Sequence, residues 1–338
     1  AMNEIDSIIG NKEKLESKTY KEIKESNDRI NKVGDIFEHG QAISPIIKKV
    51  ENRIRGFVQI QNGCDHRCTF CIIPYGRGDS RSVEPENVVN QINTLLDQGY
   101  KEIVLTGVDL TSYGHDLENK PNLATLVSHI LFSIPNLKRL RLSSLDVAEI
   151  DKNLMDLIKY EKRILPHIHL SLQAGDNMIL KRMKRRHLRD DAISVINEIR
   201  SVRSEVVFGA DIIAGFPTEN DEMFQNTVDL IEDCNITFLH IFPFSPREGT
   251  PAARMPQVDR YIIKKRAKIL REIGKKKLLE YYDGLKNKKI NVIVEDKGRG
   301  RSDTFAKVQI DNNLDNGQIV KMIVTGRNQV GLTGNIVV

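Results

Sequence analysis

The stretch FVQIQNGCDHRCTFCIIPYGRGDSRS, residues 57–82, joins a short alternating apolar run to a loop that carries Cys64, Cys68 and Cys71. The rest of the 338-residue chain holds one further cysteine, Cys234. A few crowded thiols do not make a disulfide framework; they suit metal binding in a reducing compartment. Structural zinc takes four closed ligands, usually as two separated pairs, and no second pair is present. His66 sits between Cys64 and Cys68, too close for the usual finger spacing. An iron–sulfur cluster also takes thiolates, normally four. Three thiolates leave one iron with an open position, which is useful if that iron must bind a substrate. The spacing Cys-x3-Cys-x2-Cys directly after a strand therefore favours iron–sulfur over zinc.

Working outward, the same order of strand, loop and amphipathic stretch repeats six times. The strand candidates are FVQIQ (57–61), EIVLTG (102–107), RLRLSS (139–144), HIHLSL (167–172), VVFGADIIAG (206–215) and FLHIFPF (238–244). Helical patterns lie between them, as in PENVVNQINTLLDQG (85–99), NLATLVSHILFSI (122–134) and DEMFQNTVDLIEDC (221–234). Alternating strand and helix predicts a parallel sheet with helices outside. Six units predict a partial (β/α)6 barrel, since a complete one has eight. Chemistry then belongs in the loops after the strands: the cysteine stretch, TGVDLTSYG, SSLD, QAGD, GFPTE and SPREGTPA. On the fourth strand His167, His169, Ser171 and Gln173 share one face, and with Ile168, Leu170 and Leu172 turned to the helices they line the interior. A polar interior is costly unless hydrogen-bonded or filled by ligand, so the histidines are expected to be satisfied internal groups rather than metal ligands. Cys234 reads as an ordinary buried thiol.

The flanks differ in texture. Residues 1–52 are polar and Lys/Glu-rich, a helix or two and a linker, with Ala1 before Met2 reading as a tag remnant. The barrel is assigned to 53–285, ending in a long basic helix over 259–287. Residues 286–338 alternate with period two between Gly/Asn/Asp turns and predict a small antiparallel β-barrel. The net charge of +5 is mild. Its excess gathers in KRMKRRH (181–187), KKRAKILREIGKKK (264–277) and KNKK (286–289), patches that fit a polyanion. KGRGRS (297–302), read as a loop, fits a nucleic-acid surface. A composition of 40% hydrophobic and 29% charged residues is that of a soluble globular protein. No apolar run would span a bilayer and the N-terminus lacks a secretory pattern, so the expected location is the cytoplasm, with no membrane partner.

Cys64-x3-Cys68-x2-Cys71, with Phe70 before the last thiolate, resembles the signature of the radical S-adenosylmethionine (SAM) enzymes. GCDHRCTFCIIPYGRGDSRS, EIVLTGVDLTSYG, HLSLQAGDNMILKRMKRRH, GADIIAGFPTE and FPFSPREGTPAARM resemble the methylthiotransferase branch, closest to the tRNA enzymes acting on N6-threonylcarbamoyladenosine beside the anticodon. The final residues resemble a TRAM domain, an RNA-binding β-barrel. The resemblance covers roughly residues 53–338. It implies a [4Fe–4S] cluster on Cys64, Cys68 and Cys71 whose open iron chelates SAM. A 5′-deoxyadenosyl radical would then take hydrogen from adenine carbon 2, to be replaced by a methylthio group. By the same resemblance Phe70, Thr106, Gly107, Ser143, Ser144, Gln173 and Arg185 are candidates to contact SAM: Thr106 and Gly107 at its amino group, Arg185 at its carboxylate. The alternative for these polar groups is to cap helices or satisfy backbone. Arg77 and Arg81 either offset the cluster's charge, meet phosphate, or brace the loop.

The implied partners are the tRNA anticodon stem-loop and an electron donor such as a flavodoxin or ferredoxin; the sulfur donor is left open. Full methylthiotransferases carry a further N-terminal domain whose three cysteines hold a second cluster. Here the first residues contain no cysteine, and IDSIIGNKEKLES looks like the last strand and helix of such a domain. One cluster per chain is therefore expected, with SAM cleavage retained and sulfur insertion lost. Two other readings stay open: a methylthiotransferase acting on a ribosomal protein, and a non-catalytic RNA-binding module with structural zinc.

Overall fold

The computed structural model describes residues 4–26, 28–37, 53–296, 298–310 and 314–337. The N-terminal unit is a strand, β1 (Ser7–Ile9), a helix, α1 (Ser17–Glu25), and a second strand, β2 (Ile30–Lys32), pairing parallel with the first. The first strand falls inside IDSIIGNKEKLES as read, whereas the α-helix begins only at the last residue of that stretch, Ser17, and β2 is an addition to the reading. The linker expected over 38–52 lies outside the described residues.

Six parallel units follow. Strand β3 (Arg55–Gln59) pairs with β4 (Glu102–Thr106) and β4 with β5 (Leu140–Leu142). Strand β6 (Ser144–Leu145) pairs with β7 (His167–Gln173), β7 with β8 (Val207–Ala214) and β8 with β9 (Phe238–Pro243). The third predicted strand is thus split at Ser143, where the chain steps between two sheets that a Leu140–Ile164 bridge keeps adjacent. All six strand readings fall on observed strands, and the partial (β/α)6 barrel stands.

Alternation decides which side faces what. In β3 and β4, Gly56, Val58, Ile103 and Leu105 are buried, and a Cβ on Gly56 would meet Leu95, Ile103 and Tyr100. Helices α3 (Pro85–Asp97) and α4 (Leu123–Ser133) answer with Val88, Ile92, Leu95, Leu126, Val127 and Ile130 in one continuous core. Five helices start where the sequence places a capping side chain: Asn122, Asp151, Asp176, Asn220 and Asp259 each accept an amide hydrogen bond from the first turn. Among the described residues no helix is long and apolar enough to cross a membrane.

A basic helix, α9 (Arg260–Asp283), leads to a closed five-stranded barrel formed by Lys289–Asp296, Arg299–Ser302, Lys307–Gln309, Ile319–Arg327 and Leu332–Val337. Its pairings are antiparallel except the closing one, Val308 with Leu332, which is parallel. Tyr282 of α9 belongs to the core of this barrel, so the helix serves both domains. The KGRGRS reading needs correction: Arg299–Ser302 is a strand, and Arg301 lies against Glu295 and the Phe305 ring rather than on a free loop.

The two domains meet at the N-terminal end of the large barrel. Glu102 is fully buried and accepts from Arg139 Nε (3.0 Å) and Nη2 (2.9 Å) and from Arg141 Nε (2.9 Å). Arg139 Nη1 pairs with Asp303 of the small barrel, and Arg141 Nη1 donates to the Asp303 carbonyl at 3.2 Å. Phe305, beside it, stacks on His167 at 4.7 Å and lies under the guanidinium groups of Arg141 and Arg301 at 5.0 and 4.2 Å. Burial alone would push the Glu102 pKa up, but Arg141 and then Arg139 outweigh it and hold it below its ordinary 4.5. The carboxylate's contribution is therefore complete above that value and fades as the pH falls through the lowered one. Glu102→Gln, which leaves the buried Arg141 without a carboxylate and Arg139 with Asp303 alone, is expected to lower stability by about 3–5 kcal/mol at neutral pH. Its denaturation midpoint should also vary less between pH 7 and acid than the parent's, both read from urea unfolding curves.

Candidate cluster and cofactor site

The cysteine loop is a closed excursion from the end of β3. Gln61–Asn62 pairs antiparallel with Arg81–Ser82, pinching the loop at its base. The fully buried Gln61 amide uses both ends: Nε2 donates to the Gly63 carbonyl (2.8 Å) and Ser80 Oγ (2.9 Å). Its Oε1 accepts the Val108 and Asp109 amides at 3.0 and 2.9 Å, tying the loop to the turn after β4. Gly63, at φ +78°, is required: a Cβ there would lie 1.9 Å from the Asp79 carbonyl. At the far end the Thr69 hydroxyl donates to the Arg182 carbonyl at 2.7 Å, and the Thr69 amide donates to that of Met183.

Held this way, Cys64, Cys68 and Cys71 line a single cavity of about 150 Å³ at the C-terminal ends of the strands, and Phe70, Ser144, Gln173 and Arg185 line it with them. Thr106, Gly107 and Ser143 do not line it. Thr106 spends its hydroxyl on the Val58 carbonyl (3.3 Å), a Cβ on Gly107 would crowd Gln61 Oε1 at 2.9 Å, and the Ser143 amide donates to Leu105. Gln173 holds φ +68°, a conformation costly for a residue with a side chain, at the point where β7 enters the site.

Burial, then Asp109, pushes the Cys64 thiol up to about 12, and burial raises Cys71 as well. A bound cluster must displace those protons, so its binding is tied to pH. His66 Nε2 is engaged by carboxylates, 2.8 Å from Asp109 and 3.4 Å from Glu149, hydrogen bonds that raise its pKa to about 10, so a metal ion would have to displace a proton there as it would at the thiols. Arg185 Nη2 donates to Asp146 (2.9 Å) and the Ser171 carbonyl (2.8 Å), with Nη1 3.8 Å from Cys68 Sγ. Its Nε is buried without a partner. An orphaned cationic donor beside three thiols fits an anionic group in the cavity.

Asp109, Asp146 and Ser171 line the cavity but were not singled out for it, although TGVDLTS and SSLD place both acids in loops after strands. The run 181–187 also needs correction. Arg182 bonds Thr218, while Arg185 and Arg186 pair with Asp146 and Glu149, so much of that charge is spent inside the protein. Arg81 donates to the Arg77 carbonyl at 2.9 Å, bracing the loop. Of the interior histidines, His169 is satisfied by Asp211 at 3.0 Å, whereas both ring nitrogens of His167 lack partners. Burial holds the His167 pKa well below 6.5, so it stays neutral against Phe305. Cys234 is buried at the end of α8 (Asp221–Asp233), as expected.

The radical SAM superfamily model matches residues 58–231, and this superfamily uses a [4Fe–4S] cluster with SAM. The chain is 48% identical over 325 residues to the threonylcarbamoyladenosine tRNA methylthiotransferase MtaB of Rickettsia prowazekii, covering 96% of this chain and 76% of that one. It is 36% identical to the MtaB of Aquifex aeolicus, covering 96% and 78%. To the tRNA-2-methylthio-N(6)-dimethylallyladenosine synthase of Pelagibacter ubique it is 32% identical, covering 86% and 67%. With three thiols on one strand-following loop of a partial barrel and these relatives along nearly its whole length, the chain belongs to the radical SAM superfamily and, within it, to the threonylcarbamoyladenosine tRNA methylthiotransferases.

Proposed function

We propose that this protein modifies tRNA, replacing the hydrogen on carbon 2 of N6-threonylcarbamoyladenosine next to the anticodon with a methylthio group. The observation that carries the reading is the convergence of Cys64, Cys68 and Cys71 on one cavity, in a chain 48% identical to a relative bearing that activity in its name. The cluster and SAM supply the one-electron chemistry that makes an unreactive C–H bond reactive. The protein's own residues hold and orient. The pinched loop fixes the three thiolates on one wall. Of the residues lining the cavity, Arg185 would hold the carboxylate of SAM, Ser144 and Gln173 would meet its polar groups, and Phe70 would give it an apolar contact. Thr106, Gly107 and Ser143 lie outside the cavity lining and are given no contact with SAM. Residues 286–338 act as the TRAM-like RNA-binding barrel, with the exposed Lys264, Lys265 and Lys275 of α9 adding a phosphate-facing stripe. A flavodoxin- or ferredoxin-type donor supplies electrons in the cytoplasm.

Anaerobic reconstitution with iron and sulfide is expected to load about four iron atoms per chain, and Cys64→Ala to lose most of them. The loaded protein, given SAM, a reductant and tRNA, should release 5′-deoxyadenosine; a methylthio group added to the threonylcarbamoylated nucleoside when a sulfide source is supplied, read by mass spectrometry, would show that one cluster suffices for the sulfur step as well. 5′-Deoxyadenosine without that nucleoside would place the sulfur step outside this chain; a methylthiolated ribosomal protein instead would replace the reading. Zinc without iron would overturn it. Arg185→Gln should weaken SAM binding about tenfold or more while iron content holds, as expected for a lost charge-assisted hydrogen bond.

A further inference from the structure

Directly beneath the cysteine cavity the inner wall carries a second polar group that the cluster chemistry does not use. Asp211 of β8 lies in register with His240 of β9, and its Oδ1 is 3.0 Å from His169 Nε2 and 3.2 Å from His240 Nδ1. A carboxylate only accepts, so both of those ring nitrogens carry protons. Gly209 makes the arrangement possible, since a Cβ there would sit 2.5 Å from His169 Nδ1. The register of β8 on β7 shifts between Ala210, opposite Leu170, and Ile212, opposite Gln173. Asp211 therefore faces the step at Ser171, and Ser171 and Gln173 both line the cysteine cavity.

His240 is not enclosed. Strand β9 has β8 as its one neighbour in the described sheet. Leu239 and Ile241 turn to the core, where Gly274 of α9 lets Leu239 approach. That leaves Phe238, His240 and Phe242 on the inner face. Phe238 is covered by Phe305, whereas the His240 side chain is 61% exposed and Phe242 51% exposed toward the open side of the barrel. A histidine tethered through Nδ1 to a carboxylate favours its cationic form, and the Asp211 hydrogen bond raises the His240 pKa accordingly. Nε2 is then a charged donor not used by Asp211. Beside it, an exposed phenylalanine is a face on which a base can stack.

The two groups of relatives differ in what hangs from the adenine: a threonylcarbamoyl group, which bears a carboxylate, or a dimethylallyl group, which is pure hydrocarbon. We infer that His240, held by Asp211 and His169, receives the carboxylate of the threonylcarbamoyl substituent while the base lies against Phe242, and so selects the anionic substrate. The inference rests on the tRNA reading above.

Its test is equilibrium binding of the cluster-loaded protein, in EDTA, to three fluorescent anticodon stem-loops. These carry N6-threonylcarbamoyladenosine, its methyl ester, or plain adenosine. The free acid should bind about tenfold more tightly than the ester, the scale of one charge-assisted hydrogen bond. His240→Asn should bring that ratio close to one, and Asp211→Asn should reduce it. A ratio retained in His240→Asn, or no preference for acid over ester in the parent, overturns the assignment while leaving the tRNA reading intact. Failure to bind any of the stem-loops better than a scrambled hairpin overturns both. Should the preference appear only when zinc replaces EDTA, the trio is a metal site and the direct contact is wrong.

Discussion

A barrel of six strands cannot fill its own interior, and everything distinctive in this molecule follows from what occupies that space. In a closed eight-stranded barrel, layers of apolar side chains from alternate strands pack the centre. Here the inward positions include Glu102, Arg139, Arg141, His167, His169 and Asp211, groups that are costly if left dry and unpaired. All but His167, which stays neutral with no partner on either ring nitrogen, are paired, and from opposite ends. At the base, the Glu102 carboxylate is gripped by two guanidinium groups that also hold Asp303 of the C-terminal barrel, with Phe305 covering the neutral His167. At the top, the cysteine loop arches over the strand ends, pinned by Gln61 and Thr69. The small barrel is thus more than an appended module: its 303–305 turn is part of the large barrel's floor.

The sequence carried the architecture because its strands are short, β-branched and regularly interrupted, and all six readings landed on strands. The thiol loop was equally legible, since three cysteines in a strand-following loop have few other uses. What escaped was long-range pairing. Nothing local marks Phe305, with its φ of +72°, as a plug that meets Arg141 and His167, both more than a hundred residues upstream. Charge runs misled for the same reason. KRMKRRH has the composition of a surface patch, yet Arg185 and Arg186 are matched by Asp146 and Glu149, which lie some forty positions earlier. A basic run is a polyanion site only if its partners are not already in the protein, and periodicity does not report partners. The interior polar stripe was read correctly as a stripe. The fate of each member depended on neighbours from other strands: Asp211 for His169, an aromatic ring for His167.

The divided interior also constrains how a polymer can reach the cluster. The floor is closed by Phe305 and the arginines around it, and the roof by the loop bearing the thiols. Among the described residues, what stays open is the seam where two barrel strands are missing, bounded by the edges of β3 and β9. Exposed strand edges invite unwanted pairing, and proteins usually blunt them. This seam instead presents Phe57 at 40% exposure on one side and His240 with Phe242 on the other, an aromatic and cationic lining rather than a blunted edge. A small substrate could enter a barrel from either end. The proposed substrate, a base still attached to a long chain, suits a sideways approach better than an axial one. The missing strands that leave the interior polar and in need of a plug are also what leaves that side open.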